Sequence, residues 1–224
     1  MKRSEINAIM TEAKQFLDTM NFKLPPWAFW PPEKWKGQYN RCSEIIDNML
    51  GWDITDFGHG DYLHRGLFLF TLRNGNIKKD KKPYAEKVLI SEEEQETPFH
   101  FHWHKMEDII NRGGGNLVLE IYSADEHDHF SDTTTVVSID GIKREVAPGE
   151  KVVLTPGESI CLEQRVYHRF YGEKGGGTVL VGEVSMTNDD NTDNRFYEEM
   201  GRFPQVEEDE APLHLLVSDY KNYM

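Results

Sequence analysis

The sequence predicts a mainly β fold, an antiparallel sandwich or barrel, for the chain beyond Thr55. Short apolar or alternating runs follow one another there, and turn-forming pairs such as Asn74-Gly75 and Pro156-Gly157 separate them. No long helical pattern lies between the runs, whereas a parallel sheet needs a crossover between neighbouring strands. Because the 224 residues contain no repeat or linker, we expect a single domain over 1–224, with an N-terminal extension at 1–55 and a β-barrel at 56–220.

The N-terminal extension is predicted to be helical and rich in proline and tryptophan. Apolar residues at helical spacing predict one amphipathic helix over Ser4–Met20 and another over Gln38–Met49. Between them, Leu24–Trp35 contains four prolines and three tryptophans. Proline disfavours both regular helix and strand pairing, so this segment is expected to be a packed loop that covers a sheet.

Nine short runs in the second part of the chain have the pattern of strands, and turn signals bound them. A further strand-like run, Leu213–Val217, follows the acidic segment Glu207–Glu210, which we expect to be a solvated loop. The nine predicted strands are Leu67–Leu72, Tyr84–Ile90, Phe99–Trp103, Leu117–Tyr122, Thr134–Ile139, Lys151–Leu154, Ser159–Leu162, Val166–Tyr171 and Thr178–Val184.

Charge and cysteine content limit the partners and the compartment. The chain has 25 Lys and Arg against 39 Asp and Glu, a formal charge of -14, which repels nucleic-acid phosphates and anionic lipids. We therefore expect neither nucleic acid nor a membrane as a partner. Cys42 and Cys161 are the only two cysteines and lack CxxC spacing, which indicates a reducing compartment. Without a signal-peptide pattern or a long apolar run, the protein is expected to be soluble and cytoplasmic.

Histidines alternate within the segment T-P-F-H-F-H-W-H-K-M-E, which spans Thr97–Glu107. On a strand, His100, His102 and His104 would project from one face at a spacing of about 6 to 7 Å, close enough for two rings to reach one ion. Glu107 follows within reach. This segment predicts a metal site, although an exposed strand can also carry such a run.

The spacing H-x-H-x4-E, with glycines at Gly113–Gly115, resembles the first metal motif of the cupin family. The second cupin motif supplies one more histidine, and Pro156-Gly157 followed by a strand that ends at His168 resembles it, although His168 lies further downstream than is usual. The resemblance implies a small antiparallel jelly-roll barrel. It also implies a metal ion held by His100, His102, Glu107 and His168.

Such a ligand set leaves coordination positions open, which indicates chemistry rather than a structural metal. Nitrogen and oxygen ligands without thiolate suit Mn²⁺, Fe²⁺, Co²⁺, Ni²⁺ or Zn²⁺. The alternative that His104 replaces one of the other two histidines stays open. The remaining histidines are interpreted as structural or as part of solvated loops: His59, His64, His127, His129 and His214.

A closer resemblance extends over almost the whole chain. Strings such as L-G-W-D-I-T-D-F-G, P-F-H-F-H-W-H-K-M-E-D-I-I-N-R-G-G-G-N-L and V-L-V-G-E-V-S are similar to those of the bacterial D-lyxose isomerases. The resemblance implies a manganese-dependent sugar isomerase that interconverts D-lyxose and D-xylulose, and also D-mannose and D-fructose. It further implies a homodimer and a metal-stabilised cis-enediol intermediate.

Aldose–ketose conversion moves a proton from C2 to C1, so acid and base groups are needed beside the metal. Glu183 is the predicted base, because a lone acid in an apolar strand must face a partner or a site. Lys87 and Lys105 are predicted to polarise sugar oxygens or to move their protons. The polar segment that follows the strand of Glu183 is predicted to bind sugar hydroxyls through Asp190, Asp193 and Arg195. The alternatives are a buried salt bridge for Glu183, solvent-facing lysines and an ordinary turn-rich loop.

Two other functions are compatible with the motifs. One is another metal-dependent cupin enzyme, such as an iron dioxygenase, which would bind oxygen in the open position. The other is a non-catalytic sugar-binding cupin, for which the metal would be dispensable.

Overall fold

A computed structural model describes residues 1–76, 78–79, 81–187 and 189–223. Two antiparallel sheets face each other in the described chain; two helices precede them in the sequence and a short third helix follows them. The helices are α1 (Arg3–Thr19), α2 (Tyr39–Asp47) and α3 (Tyr220–Tyr223). The strands are β1 (Gly51–Thr55), β2 (Leu67–Arg73), β3 (Tyr84–Ser91), β4 (Thr97–His102), β5 (Glu107–Gly114), β6 (Leu117–Ser123), β7 (Thr135–Ile139), β8 (Ile142–Val146), β9 (Lys151–Leu154), β10 (Ser159–Leu162), β11 (Val166–Gly172), β12 (Val179–Met186) and β13 (Asn194–Phe196).

The larger sheet has eight strands in the order β1-β2-β3-β12-β5-β10-β7-β8, and the smaller has five in the order β13-β4-β11-β6-β9. Their inner faces enclose the main hydrophobic core, which includes Leu69, Ile109, Leu119, Phe170 and Val181. Strand β5 illustrates how the sequence builds this core: its residues alternate between buried and more exposed positions, as expected of a strand with one face on a core. The predicted mainly β fold is confirmed.

The N-terminal extension packs on the outside of the larger sheet. Ile6, Met10 and Leu17 lie on the buried face of α1 and contact a second apolar cluster built on β1, β2 and β3. In the Pro/Trp-rich segment, the ring of Trp27 stacks on Phe70 with centroids 5.3 Å apart. The segment therefore covers a sheet, as expected, and two short 3-10 turns replace regular helix there.

Each of the nine predicted strands corresponds to a strand of the structure, but four strands and one terminal run differ from the prediction. β1, β5, β8 and β13 were not predicted, and β1 extends the sheet into the predicted helical region. The prediction of a strand at Leu213–Val217 is wrong. That run forms a single bridge to Trp52, because its apolar side chains are buried against the N-terminal aromatic residues rather than in a ladder. Within the described part of the chain, the helices are too short or too polar to cross a membrane.

Candidate active site

Three buried histidines meet on the inner face of the smaller sheet. His100 and His102 alternate on β4, and His168 lies on β11 directly opposite His100. Their ligand nitrogens lie within 4.8 Å of one another. The antiparallel register thus brings together residues that are far apart in sequence, and the group could hold a metal ion.

Backbone carbonyls orient two of these rings. Nδ1 of His100 lies 2.8 Å from the carbonyl oxygen of Pro98, and Nδ1 of His168 lies 3.0 Å from that of Val166. A ring that donates its Nδ1–H to a carbonyl keeps a lone pair on Nε2. Burial lowers the pKa of His100 well below its usual value, and the neighbouring His168 and His102 lower it further. His100 is therefore arranged as a neutral ligand, and the ring of His168 is oriented in the same way.

Glu107 faces the histidines from the opposite sheet, at the start of β5. Its Oε1 lies 3.2 Å from Nε2 of His102 and 3.1 Å from Nε2 of His168. Although burial alone would raise the pKa of Glu107, Lys105 and His102 hold it well below its usual value.

The atoms at the centre of this group are buried and make no hydrogen bond of good geometry with any residue that the structure describes. They are Nε2 of His102, Nε2 of His168 and Oε1 of Glu107. Buried polar atoms without partners are rare and costly, and a divalent ion would satisfy all three at once. These residues therefore fit the metal that the sequence motif implies.

Lys105 joins two carboxylates beside this group. It lies in the turn between β4 and β5, and its Nζ is 2.6 Å from Oε2 of Glu107 and 2.9 Å from Oε1 of Glu183. Burial alone would lower the pKa of Lys105, but Glu107 and Glu183 raise it above its usual value. Lys105 is buried rather than solvent-facing.

Glu183 and Lys87 continue the row of charged side chains that begins with Glu107 and Lys105, and both lie on the larger sheet. They are directly opposite each other on β12 and β3, and Nζ of Lys87 lies 3.3 Å from Oε1 of Glu183. The same Nζ is 3.6 Å from Asp190. Histidines on one sheet thus face carboxylates and lysines on the other, across a cavity that Glu183, Lys87, Lys105 and Asp190 line.

Asp193 and Arg195 do not line this cavity. The carboxylate of Asp193 accepts hydrogen bonds from the backbone N–H groups of His104 and Lys105, at 2.9 and 3.1 Å. Arg195 lies on β13 between two residues that line the cavity, and its guanidinium bonds the carbonyl of Phe196. Because neighbours on a strand point to opposite faces, Arg195 points away from the cavity. Their predicted contacts with sugar stay a prediction.

His104 lies apart from the other three histidines. β4 ends at His102, so the alternation that would have aligned His104 with the others stops before it is reached. Its side chain is exposed and lines a separate outer pocket with Asn74 and Asn191. His127 and His129 lie in an exposed loop, whose backbone N–H groups bond to Asp125.

Two residues of the site were missed from the sequence. Arg202 lines the cavity, and its Nη2 lies 2.6 Å from Oδ2 of Asp53 on β1 and 3.4 Å from Oδ2 of Asp190. Asp53 is buried and Arg202 is partly buried, and 149 positions separate them in the sequence, so no local spacing connects them. The only available signal was the position of Asp53 between Trp52 and Ile54, an acid within an apolar run.

The cavity combines a charged wall with an apolar one, to which Phe57, Leu69 and Phe196 contribute. Such a site can bind a small molecule that has several oxygens and a carbon backbone. Glu183 lies in this cavity beside Lys87 and Lys105, and its predicted role as a base stays a prediction.

Comparisons with known proteins agree with this chemistry. The family model described as D-lyxose isomerase matches residues 1–220. A D-lyxose/D-mannose isomerase of Serratia proteamaculans is 47% identical over 228 residues, and one of Escherichia coli O157:H7 is 44% identical over 227, each covering 100% of both chains.

Among solved structures, an L-ribose isomerase mutant of Acinetobacter sp. DL28 in complex with L-ribose has a TM-score of 0.63 at 12% identity. The match covers 92% of this chain and 98% of that one. An L-ribose isomerase of Cellulomonas parahominis with L-ribose has a TM-score of 0.60 at 15% identity, with the same coverage. At this identity the likeness concerns the fold alone, and it agrees with the mainly β fold of two antiparallel sheets with a helical N-terminal extension.

Proposed function

The chain belongs to the D-lyxose isomerase family and is a sugar isomerase, and from that premise we propose that it interconverts D-lyxose with D-xylulose and D-mannose with D-fructose. The observation that carries the proposal is the position of Glu183. This carboxylate lies in the cavity, 2.9 Å from Lys105 and 3.3 Å from Lys87. A base with neutralising lysines on either side suits proton transfer between two neighbouring carbons.

The metal ion of this proposal is Mn²⁺, held by His100, His102, Glu107 and His168. Co²⁺, Fe²⁺, Ni²⁺ and Zn²⁺ suit the same nitrogen and oxygen ligands. When bound, the ion would supply a Lewis acid for the two sugar oxygens at the reacting end. The three unpartnered buried atoms support this assignment.

Glu183 takes the proton from C2 of the open-chain aldose and returns it to C1. Removal of this proton gives a cis-enediolate, which becomes the cis-enediol when O1 is protonated, and a single carboxylate on one face can serve both carbons. The hydroxyl proton moves from O2 to O1 in the same conversion, and the ammonium groups of Lys105 and Lys87 are the proposed carriers.

Asp190 is proposed to accept hydrogen bonds from sugar hydroxyls. Its carboxylate lies in the cavity wall next to Lys87, and carboxylates accept hydrogen bonds from hydroxyl groups. The homodimer that the resemblance implies stays a prediction, as does the cytoplasmic location that the sequence itself predicts.

The deciding experiment incubates the purified protein with D-lyxose and, separately, with D-mannose. We expect NMR spectra to show D-xylulose and D-fructose with Mn²⁺ present, and neither product after treatment with a chelator. Equal conversion under argon would exclude a dioxygenase. Binding of D-lyxose without any product would contradict the isomerase and support a sugar-binding cupin.

A further inference from the structure

Arg202 lines the cavity and carries an unused hydrogen-bond donor. Its Nη2 is engaged by Asp53 and Asp190, whereas its Nη1 is buried and has no hydrogen-bond partner among the described residues. A buried guanidinium nitrogen that lacks an acceptor costs free energy comparable to a lost charged hydrogen bond. A ligand oxygen in the cavity would remove that cost.

The guanidinium is held rigidly in this orientation. Oδ2 of Asp53 lies 2.6 Å from Nη2, and Cζ of Arg202 lies over the ring of Phe203, 4.9 Å from its centroid. Burial alone would lower the pKa of Arg202, but Asp53 and Asp190 raise it. A fixed donor loses little entropy when it binds, so its position can select among ligands.

Arg202 is the last member of a chain of ion pairs that begins at Glu107, beside the histidines. The row begins at Glu107, passes through Lys105 to Glu183, and continues through Lys87 and Asp190 to Arg202. In the proposed function, C1 and C2 of the sugar lie beside Glu107 and Glu183. The end of the row at Arg202 therefore meets carbons that do not react.

We propose that Nη1 of Arg202 donates a hydrogen bond to a hydroxyl at the non-reacting end of the sugar, O4 or O5, and that Asp53 positions Arg202 for this contact. The inference rests on the proposed function, because that function fixes which end of the sugar lies beside Glu183. It makes Arg202 a determinant of which sugars bind productively.

Deoxy sugars test the contact directly. The value of kcat/KM is measured for the wild type and for Arg202→Met on D-lyxose, 4-deoxy-D-lyxose and 5-deoxy-D-lyxose. A hydrogen bond from a charged donor contributes about 1.5 to 3 kcal/mol, so we expect the variant to lose roughly 10- to 150-fold on D-lyxose, mainly through KM. For the deoxy sugar that lacks the contacted hydroxyl, variant and wild type should differ by less than about 3-fold.

A loss of the same size on all three sugars would overturn the contact, because a general structural defect does not depend on one hydroxyl. Arg202→Lys repeats the test with the charge beside Asp53 retained, should the methionine variant fold poorly. Arg41→Met is the matched control, since Arg41 is exposed and, among the described residues, its side chain hydrogen-bonds only to Gln38. Thermal unfolding and metal content are measured for every variant.

Direct binding separates this inference from the proposed function. D-arabinitol, the polyol obtained by reducing D-lyxose, cannot isomerise. Calorimetry therefore gives the Kd of D-arabinitol whether or not the protein converts sugars. If the wild type converts no sugar, the proposed function fails, yet a Kd raised at least 10-fold in Arg202→Met would still support the contact. An unchanged Kd in that variant would overturn it.

Discussion

Nζ of Lys105 lies 2.6 Å from Oε2 of Glu107, while the other oxygen of the same carboxylate faces His102 and His168. One side chain thus connects the proposed metal ligands to the proposed base. Removal of Lys105 would leave two buried carboxylates without their shared cation, which typically costs about 3 to 5 kcal/mol. We expect Lys105→Met to lower the free energy of unfolding in urea by that order, and Lys34→Met, at an exposed position over Trp30, to lower it by much less.

Loss of a metal ligand should abolish metal binding and activity together. His102→Ala and Glu107→Ala each remove one donor of the proposed site, so we expect purified protein to contain little Mn²⁺ and to convert no D-lyxose. Elemental analysis measures the metal, and an NMR assay measures the product. His129→Ala, in an exposed loop, is the control and should retain both. Full metal content in Glu107→Ala would contradict its assignment as a ligand.

Glu183→Gln should separate metal binding from turnover. The amide keeps the shape of the side chain but cannot accept the C2 proton, and general-base catalysis contributes about 10²- to 10⁴-fold. We expect normal Mn²⁺ content and a kcat that is lower by a factor of at least about 10². A variant with near wild-type kcat would show that another group is the base, while the isomerase assignment would be unaffected.

Asp193 provides a test between two roles. Its carboxylate holds the backbone of His104 and Lys105, so Asp193→Asn should lose one acceptor and lower the free energy of unfolding by about 1 to 3 kcal/mol. Because the turn carries Lys105, kcat should fall more than KM rises. If Asp193 instead binds the sugar, the loss of that contact in Asp193→Asn would raise KM and leave the unfolding curve unchanged.

The stability of the protein should depend on pH through His214. Its ring stacks on Trp52 with centroids 5.6 Å apart, and Nε2 lies 3.4 Å from Nζ of Lys14. Burial lowers the pKa of His214, and Lys14 lowers it further. In the unfolded state the histidine titrates at about pH 6.5. Below that pH the unfolded state therefore binds more protons than the folded state, and the stability that neutral His214 contributes is lost as the pH falls.

His214→Phe keeps the stacking and removes the titration. In urea unfolding with a chelator present, the wild type should lose more stability than this variant between about pH 7 and pH 5.5, with a difference in slope of at most about 1.4 kcal/mol per pH unit. His127→Gln, in the exposed acidic loop, should keep the wild-type slope. Equal slopes for wild type and His214→Phe would contradict the role of His214.

What could be predicted from the sequence was local in the chain. Alternation placed His100 and His102 on one face, and turn pairs bounded the strands that carry Lys87, His168 and Glu183. β5 was missed because its apolar pair Ile109-Ile110 is short and a polar, glycine-rich run follows. The ion pair of Asp53 with Arg202 was missed because only the folded barrel brings residues 149 positions apart into contact.

The role of Asp193 could not be predicted for a different reason. An aspartate in a polar loop can bind a ligand or its own backbone, and only the arrangement of the neighbouring turn decides between them. The same holds for His104, whose orientation depends on where β4 ends.

The division of the site between two sheets has a consequence for folding. His100, His102 and His168 belong to the smaller sheet and Glu107 to the larger one, so an ion bound by all four would cross-link the two layers of the barrel. A ligand that binds only the folded form stabilises it in proportion to the logarithm of its concentration. The melting temperature of this enzyme should therefore rise with free metal, and a cell short of metal would hold a barrel whose halves separate more readily.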